Sequence, residues 1–163
     1  MVMSVFSKDD IFKMLSVIPD PEIPVVSIQE MGMLRDVVIS DKGYEVILTP
    51  TYTGCHAMGM IEAEIKSTLD RNKVFPATVR MVYEPAWTTD WMNDEAKEKL
   101  RRYGIAPPIS STCNSSEFVN NSITCPHCGG VDTTMVSRFG ATACKALYKC
   151  NSCKEPFEYF KCH

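Results

Sequence analysis

The chain has 163 residues, of which 45% are hydrophobic and 23% charged, with a formal net charge of −3. That is enough for one ordinary domain and a small appendage, and it gives no electrostatic ground for binding nucleic acid or an anionic membrane. No stretch would span a bilayer, since the longest uncharged run, Val46 to Ile61, is broken by Pro50, Gly54 and His56.

Met1 to Phe6 is short, lacks a basic flank and runs straight into Lys8-Asp9-Asp10, so no signal peptide is expected. Eight cysteines in such a chain read as metal or redox use in a reducing compartment, and the cytoplasm is the expected location.

In chain order, Ser7 is a candidate cap for a first helix, whose apolar face is Ile11, Met14, Leu15 and Ile18 and which stops at Pro19. Asp20-Pro21-Glu22-Ile23-Pro24 must be extended or turned, because each proline restrains itself and its predecessor. Val37 to Ile39 and Tyr44 to Thr49 flank Asp41-Lys42-Gly43 and predict a hairpin. Met58, Ile61, Ile65 and Leu69 predict a second helix, and Thr78 to Tyr83 a third strand. Glu95 to Tyr103, capped by Asn93 or Asp94 and ended by Gly104, predicts a third helix. The order α-β-β-α-β-α predicts a small α/β (α+β) domain over residues 1–108, with helices on one face of a short sheet. Residues 109–122 form a polar linker, and residues 123–163 a zinc-ribbon-like β domain with short strands at Thr133 to Arg138 and Leu147 to Lys149.

The ribbon rests on two couplets, Cys125-Pro-His-Cys128 and Cys150-Asn-Ser-Cys153, with 21 residues between them. Two thiolates three positions apart bind one edge of a metal ion, and a second couplet completes a tetrahedron of four sulfurs. The expected cofactor is structural zinc, with a single iron as the other metal this geometry accepts. A tail of this size cannot hold itself together without the metal.

A second suggestive place is Thr49-Pro-Thr-Tyr-Thr-Gly-Cys55-His56, where a strand meets the second helix. A cysteine at a helix N-terminus meets unpaired N–H groups and the positive end of the dipole, so its pKa is expected to fall below the free value of ~8.5. The competing reading is a small buried residue in a glycine turn. His56 is either a ligand or base, or a surface imidazole. Asp20 and Glu22 are candidate metal ligands, or an Asx-type turn. Cys144 is either a buried thiol or an extra ligand, Cys113 lies in the linker, and Cys162-His163 closes the chain. Trp87 and Trp91 are expected to anchor the third helix.

Asp20-Pro-Glu-Ile-Pro24, Met31-Gly-Met-Leu34, Thr51-Tyr-Thr-Gly-Cys55 and Pro85-Ala-Trp87 together resemble the small domain of SufT-type iron–sulfur assembly factors, over about residues 8–104. Trp91-Met92, Tyr103-Gly-Ile-Ala-Pro-Pro108, Phe139-Gly-Ala-Thr-Ala-Cys144-Lys-Ala-Leu-Tyr-Lys-Cys150 and Glu155-Pro-Phe157 resemble the PaaD family of phenylacetate degradation, which joins that domain to a cysteine-rich ribbon. His56 departs from the proline frequent in related domains.

The resemblance implies an accessory role beside the multicomponent oxygenase that epoxidises the ring of phenylacetyl-CoA. Its partners would be the oxygenase component with its di-iron site, the reductase with its iron–sulfur centre, and a second copy of this chain. Cys55, with Cys144 as a second candidate, would be a transient ligand for iron or an iron–sulfur unit, in a pocket shaped by Asp20, Glu22, Thr51, Thr53 and His56. Two other classes stay open: a structural or electron-transfer subunit of that complex, and a nucleic-acid-binding zinc ribbon, against which the acidic balance counts. The chain has no Glu-x-x-His for a di-iron bundle and no nicotinamide or flavin fingerprint, so catalysis of its own is not expected.

Overall fold

The computed structural model describes residues 6–109 and 123–162. The expected linker beyond Ile109, with Cys113, and His163 lie outside the described residues. The chain forms two compact units, one ending at Trp87 and the other beginning at Thr88.

The first unit is built on a three-stranded sheet, β1 (Leu34–Ser40), β2 (Gly43–Leu48) and β3 (Ala77–Met81), in the order β1-β2-β3. β1 and β2 form the antiparallel hairpin and β3 lies parallel to β2, so the connection between β2 and β3 must be a crossover. The helix α2 (Ala57–Arg71) supplies it. α1 (Lys8–Leu15) begins with a reciprocal capping box, in which Ser7 Oγ accepts from the Asp10 N–H and the Asp10 carboxylate accepts from the Ser7 N–H. Ile11 and Leu15 of α1, Ile61, Ile65 and Leu69 of α2, and Tyr44, Val46 and Leu48 of β2 are all buried. The i, i+4 spacing of the helical residues and the i, i+2 spacing of the strand residues turn these side chains into one core, each worth about 1.5–3 kcal/mol when fully buried. Trp87 is buried too, and its indole N–H donates to the Met31 carbonyl at 2.8 Å. That bond ties it to the loop before β1.

The second unit holds a 3-10 turn (Thr89–Trp91), α3 (Asp94–Tyr103) and a four-stranded sheet of β4 (Ile105–Ala106), β5 (Thr133–Ser137), β6 (Lys145–Cys150) and β7 (Pro156–Phe160), ordered β4-β7-β6-β5. Asn93 caps α3 through the Ala96 N–H at 2.7 Å, and Gly104 ends it at φ +92°. Composition alone groups α3 with the first domain. Its chain neighbour β4 pairs in parallel with β7, and α3 packs on β4, so both fall in the second unit. Tyr148 stacks on Phe157 and meets Tyr159 edge-on, at 5.9 and 5.8 Å between ring centres. Beneath the hairpin loop the buried Lys145 ammonium pairs with Glu158 at 2.6 Å, and Glu158 also accepts the Ala141 N–H at 2.7 Å. A charge pair this deep needs such additional hydrogen bonds to offset its desolvation.

Gly43 is the tightest point of the first unit. It sits at φ +107°, and a Cβ there would lie 2.2 Å from the Pro76 carbonyl oxygen, the same oxygen that accepts the Tyr44 N–H at 3.0 Å and starts the β2–β3 register. Gly43→Ala should therefore lower stability by about 2–3 kcal/mol, measured as a shift of the urea midpoint. An unchanged midpoint would mean that the hairpin relaxes without disturbing β3.

Candidate metal centre and the Cys55 loop

The two couplets occupy turns of the same backbone design. The Gly129 N–H donates to the Cys125 carbonyl at 2.9 Å, and the Lys154 N–H to the Cys150 carbonyl at 3.0 Å. The Cys125 N–H reaches the Gly130 carbonyl, and the Cys150 N–H the Glu155 carbonyl. Each turn passes through the left-handed region at its fifth residue, Gly129 at φ +76° and Lys154 at φ +68°. This repeated turn points both sulfurs of a couplet to one side. The second turn is tied to β5, because Asn151 donates its side-chain amide to Asp132 at 2.8 Å and Thr134 at 3.0 Å.

The four sulfurs, from Cys125, Cys128, Cys150 and Cys153, all lie within 4.8 Å of one another. Across the two turns Cys125 and Cys153 are 3.8 Å apart and Cys128 and Cys150 3.6 Å apart. A tetrahedron with zinc–sulfur bonds of ~2.3 Å has edges of about 3.8 Å, so the cage has the size zinc requires. Backbone N–H groups turn toward the sulfurs, as at Gly130 to Cys128 at 3.4 Å. The Cys153 and Ser152 N–H groups, with the neighbouring thiols, hold the Cys150 thiol down to about 6. Cys153 receives the Glu155 N–H, yet burial and the thiols around it push it up to about 12. Four such groups cannot all release their protons side by side unless a cation compensates the charge. The residues fit a metal ion, and with four protein ligands they leave no open position for catalysis.

Cys144 stands apart from this centre. It precedes β6, at the end opposite Cys150, about 20 Å away along an extended strand. It is buried, with its sulfur 3.0 Å from Thr142 Oγ1.

In the first unit Asp20 forms an Asx turn, its Oδ1 accepting the Glu22 and Ile23 N–H groups at 2.7 and 3.0 Å. The turn is pinned by the Asp20 N–H to the Val26 carbonyl and by a bridge between Pro19 and Ser27. It brings the Asp20 and Glu22 carboxylates within electrostatic reach of Cys55, which is half-buried in the β2–α2 loop. Thr51 is buried in that loop, while Thr53 and His56 are exposed. His56 starts α2 without a side-chain cap.

The expectation of a depressed Cys55 pKa is overturned. Burial pushes the thiol up, and the Glu22 and Asp20 charges push it further, outweighing the Ala57 N–H and the Tyr52 side chain, which pull it down. The thiol precedes the helix start by two residues and meets a single helix N–H, so the helix end loses to desolvation and two anions. Sequence reasoning does not bring Tyr52 to this sulfur. The turn that carries the Cys55 N–H back to the Tyr52 carbonyl at 3.3 Å sets the two side chains together, a spacing that only the turn geometry discloses. At the root of the same loop, the Thr49 hydroxyl is buried with no hydrogen-bond partner among the described residues.

Residues 110–161 match the PaaD zinc beta ribbon domain, and residues 8–73 match the iron–sulfur cluster assembly protein family. A protein of Escherichia coli K12, provisionally named as one of the subunits of 1,2-phenylacetyl-CoA epoxidase, is 47% identical over 94% of this chain and 92% of its own length. An Fe–S protein maturation auxiliary factor of Porphyromonas gingivalis is 30% identical over 58% of this chain and 90% of its own. The crystal structure of a DUF59 domain from Bacillus anthracis superposes with a TM-score of 0.53 at 28% identity, covering 57% of this chain and 90% of that one. Among the described residues no helix is long and apolar enough to cross a membrane.

The environment of Cys55 makes its reactivity adjustable. Its alkylation, followed by peptide mass spectrometry, should reach half-maximal rate at a pH above that of a free thiol. Glu22→Gln should remove one of the anions that oppose the thiolate and speed alkylation near neutral pH by about two- to fivefold. An unchanged or slower rate would show that the Glu22 charge does not act on this sulfur.

Proposed function

The chain belongs to the PaaD family, and from that premise we propose that it is an accessory maturation factor for the metal centres of a phenylacetyl-CoA epoxidase system, without catalysis of its own. The observation that carries this reading is the Cys55 loop: a half-buried thiol within electrostatic reach of two carboxylates, in the segment that matches iron–sulfur assembly proteins.

Among the described residues only the four ribbon cysteines converge as a metal cage, so Cys55 would offer iron a single soft sulfur, an open and weak site. A site of that kind suits passing a metal or cluster on more than storing it. Asp20 and Glu22 raise the proton affinity of Cys55 when the loop is empty, and the positive charge of an iron cargo would reverse that effect and favour the thiolate. Thr51 and Tyr52 line the loop that presents the sulfur.

The ribbon serves as a structural module in this reading, with zinc held by Cys125, Cys128, Cys150 and Cys153. The partners are the oxygenase and reductase components whose centres are being built. That the Escherichia coli relative is named among the epoxidase subunits supports a second reading, a permanent structural member of the complex. Stoichiometric retention of this chain in the purified, active epoxidase would favour that reading over a transient factor.

Cys55→Ser should leave the fold and the ribbon metal intact but reduce the iron content of the client, reconstituted or isolated from cells lacking the native protein, by roughly tenfold, because a hydroxyl does not replace a thiolate toward iron. Full support of maturation by the variant would make Cys55 a structural residue and end the transfer reading.

For the ribbon, elemental analysis of freshly prepared protein should give one zinc per chain. Cys128→Ser, at the most exposed ligand, should weaken retention against a chelator at least about 100-fold. A well-folded preparation without metal would contradict the structural role.

A further inference from the structure

We propose that the loop between β5 and β6 is a preformed recognition loop, whose Phe139 ring and Arg138 guanidinium enter an apolar pocket rimmed by carboxylates on a partner protein. The loop lies in the segment Phe139-Gly-Ala-Thr-Ala-Cys144, which neither the metal centre nor the Cys55 site uses. Its backbone is firmly held. The N–H groups of Phe139, Gly140 and Ala141 donate to Ser137 Oγ at 3.2 Å, to the Lys145 carbonyl at 2.8 Å and to Glu158 Oε1 at 2.7 Å. The Arg138 carbonyl accepts the Lys161 ammonium at 3.2 Å, and the Thr142 carbonyl accepts the Lys145 N–H at 3.2 Å. Glu158 is fixed in turn by the buried Lys145 ammonium. Gly140 packs so closely here that a Cβ would lie 2.5 Å from Glu158 Oε1.

A loop bonded in this way has little ordering left to do on binding, and that ordering is where flexible loops lose affinity. What it displays is a ring and a cation. Phe139 is 65% exposed, with the Lys161 ammonium 4.6 Å from its ring centre. Ala141 and Ala143 beside it are exposed and small. Arg138 is exposed, and its guanidinium has no ion pair among the described residues. A single exposed aromatic side chain is ordinary on any surface. An aromatic ring next to an unpaired arginine on a fixed backbone has the composition and the preorganisation of a binding hot spot.

Charge selects the occupant. Arg138 and Lys161 are cationic, residues 138–144 contain no acid, and the Glu158 carboxylate behind the loop is already engaged by Lys145 and the Ala141 N–H. The loop is thus a positive spot on a chain of net charge −3, and carboxylates complement it. Two cations are too few for binding driven by nucleic-acid phosphates, and the ring needs apolar walls. The inference rests on the proposed service to an oxygenase or reductase component, and it specifies how that component is recognised.

The test is calorimetric titration of the full-length, metal-loaded chain against the purified oxygenase and reductase components at several salt concentrations. Wild type should bind one of the two. Phe139→Ser, at an exposed position, should weaken that binding about tenfold or more. Arg138→Glu should weaken it by a similar factor and flatten its salt dependence. Gly140→Ala keeps both contact side chains but displaces the Glu158 carboxylate, and it should weaken binding about threefold or more. Cys55→Ser should bind as wild type does, which separates docking from metal transfer. Far-UV circular dichroism and zinc content confirm the fold of each variant. Wild-type binding that is indifferent to Phe139→Ser or to Arg138→Glu would overturn the inference and leave the maturation reading standing. Failure of wild type to bind either component would overturn both. Phe139-dependent binding to RNA or to anionic vesicles, with neither component bound, would also overturn the choice of a protein partner.

Discussion

Four sulfurs confined within 4.8 Å set the terms for the second unit. As thiols they compete for protons, one held down to about 6 and another pushed up to about 12; as thiolates they repel unless a cation sits among them. Everything else in the ribbon is arranged to tolerate that crowding. The two turns repeat one backbone path, the β6–β7 hairpin carries one couplet on its inner end, and Asn151 fastens the turn to β5. Around the couplets a core of Ala106, Ile123, Ala146, Tyr148, Phe157 and Tyr159 is buried as well, and one buried ion pair lies in the same sheet. The fold of this unit is therefore a statement about charge as much as about burial, and the metal connects the two.

The first unit obeys a different rule. There the apolar spacing alone specifies which faces meet, and that is why so much of it is legible in the sequence. Ile11 and Leu15, Ile61, Ile65 and Leu69, and the alternation of Tyr44, Val46 and Leu48 declare their elements and their buried sides. The cap at Ser7 falls where side-chain chemistry puts it, as do the Asn93 cap and the Gly104 stop of α3 in the second unit. What escapes are relations between segments distant in the chain. β4 is two residues long, too short for any periodicity, and its partner β7 begins with Pro156, which reads as a breaker. The allegiance of α3 follows from that one pairing.

The same limit applies at the candidate site. The thiol in its glycine turn is visible from Gly54-Cys55, and Asp20-Pro21-Glu22 is visible as a turn. The sign of the electrostatic effect is not. It depends on the Asx turn delivering two anions to the sulfur and on burial, neither of which a helix N-terminus in isolation reveals. Only a folded backbone makes neighbours of residues more than thirty positions apart, and here burial, with the two anions added to it, reverses the pKa that local geometry suggests.

The parallel pairing of β4 with β7 bears on how the molecule is made. Ile105 finds its partner at Glu158, about fifty residues later. During synthesis α3 and β4 leave the ribosome long before the strand that will cover their edge, and closing so long a loop is slow relative to the local hairpin. The nascent second unit thus waits, with an open sheet margin, until β7 has been made. The interval in which it can meet a metal donor or an unwanted strand is set by translation, and loss of β7 would make that interval permanent.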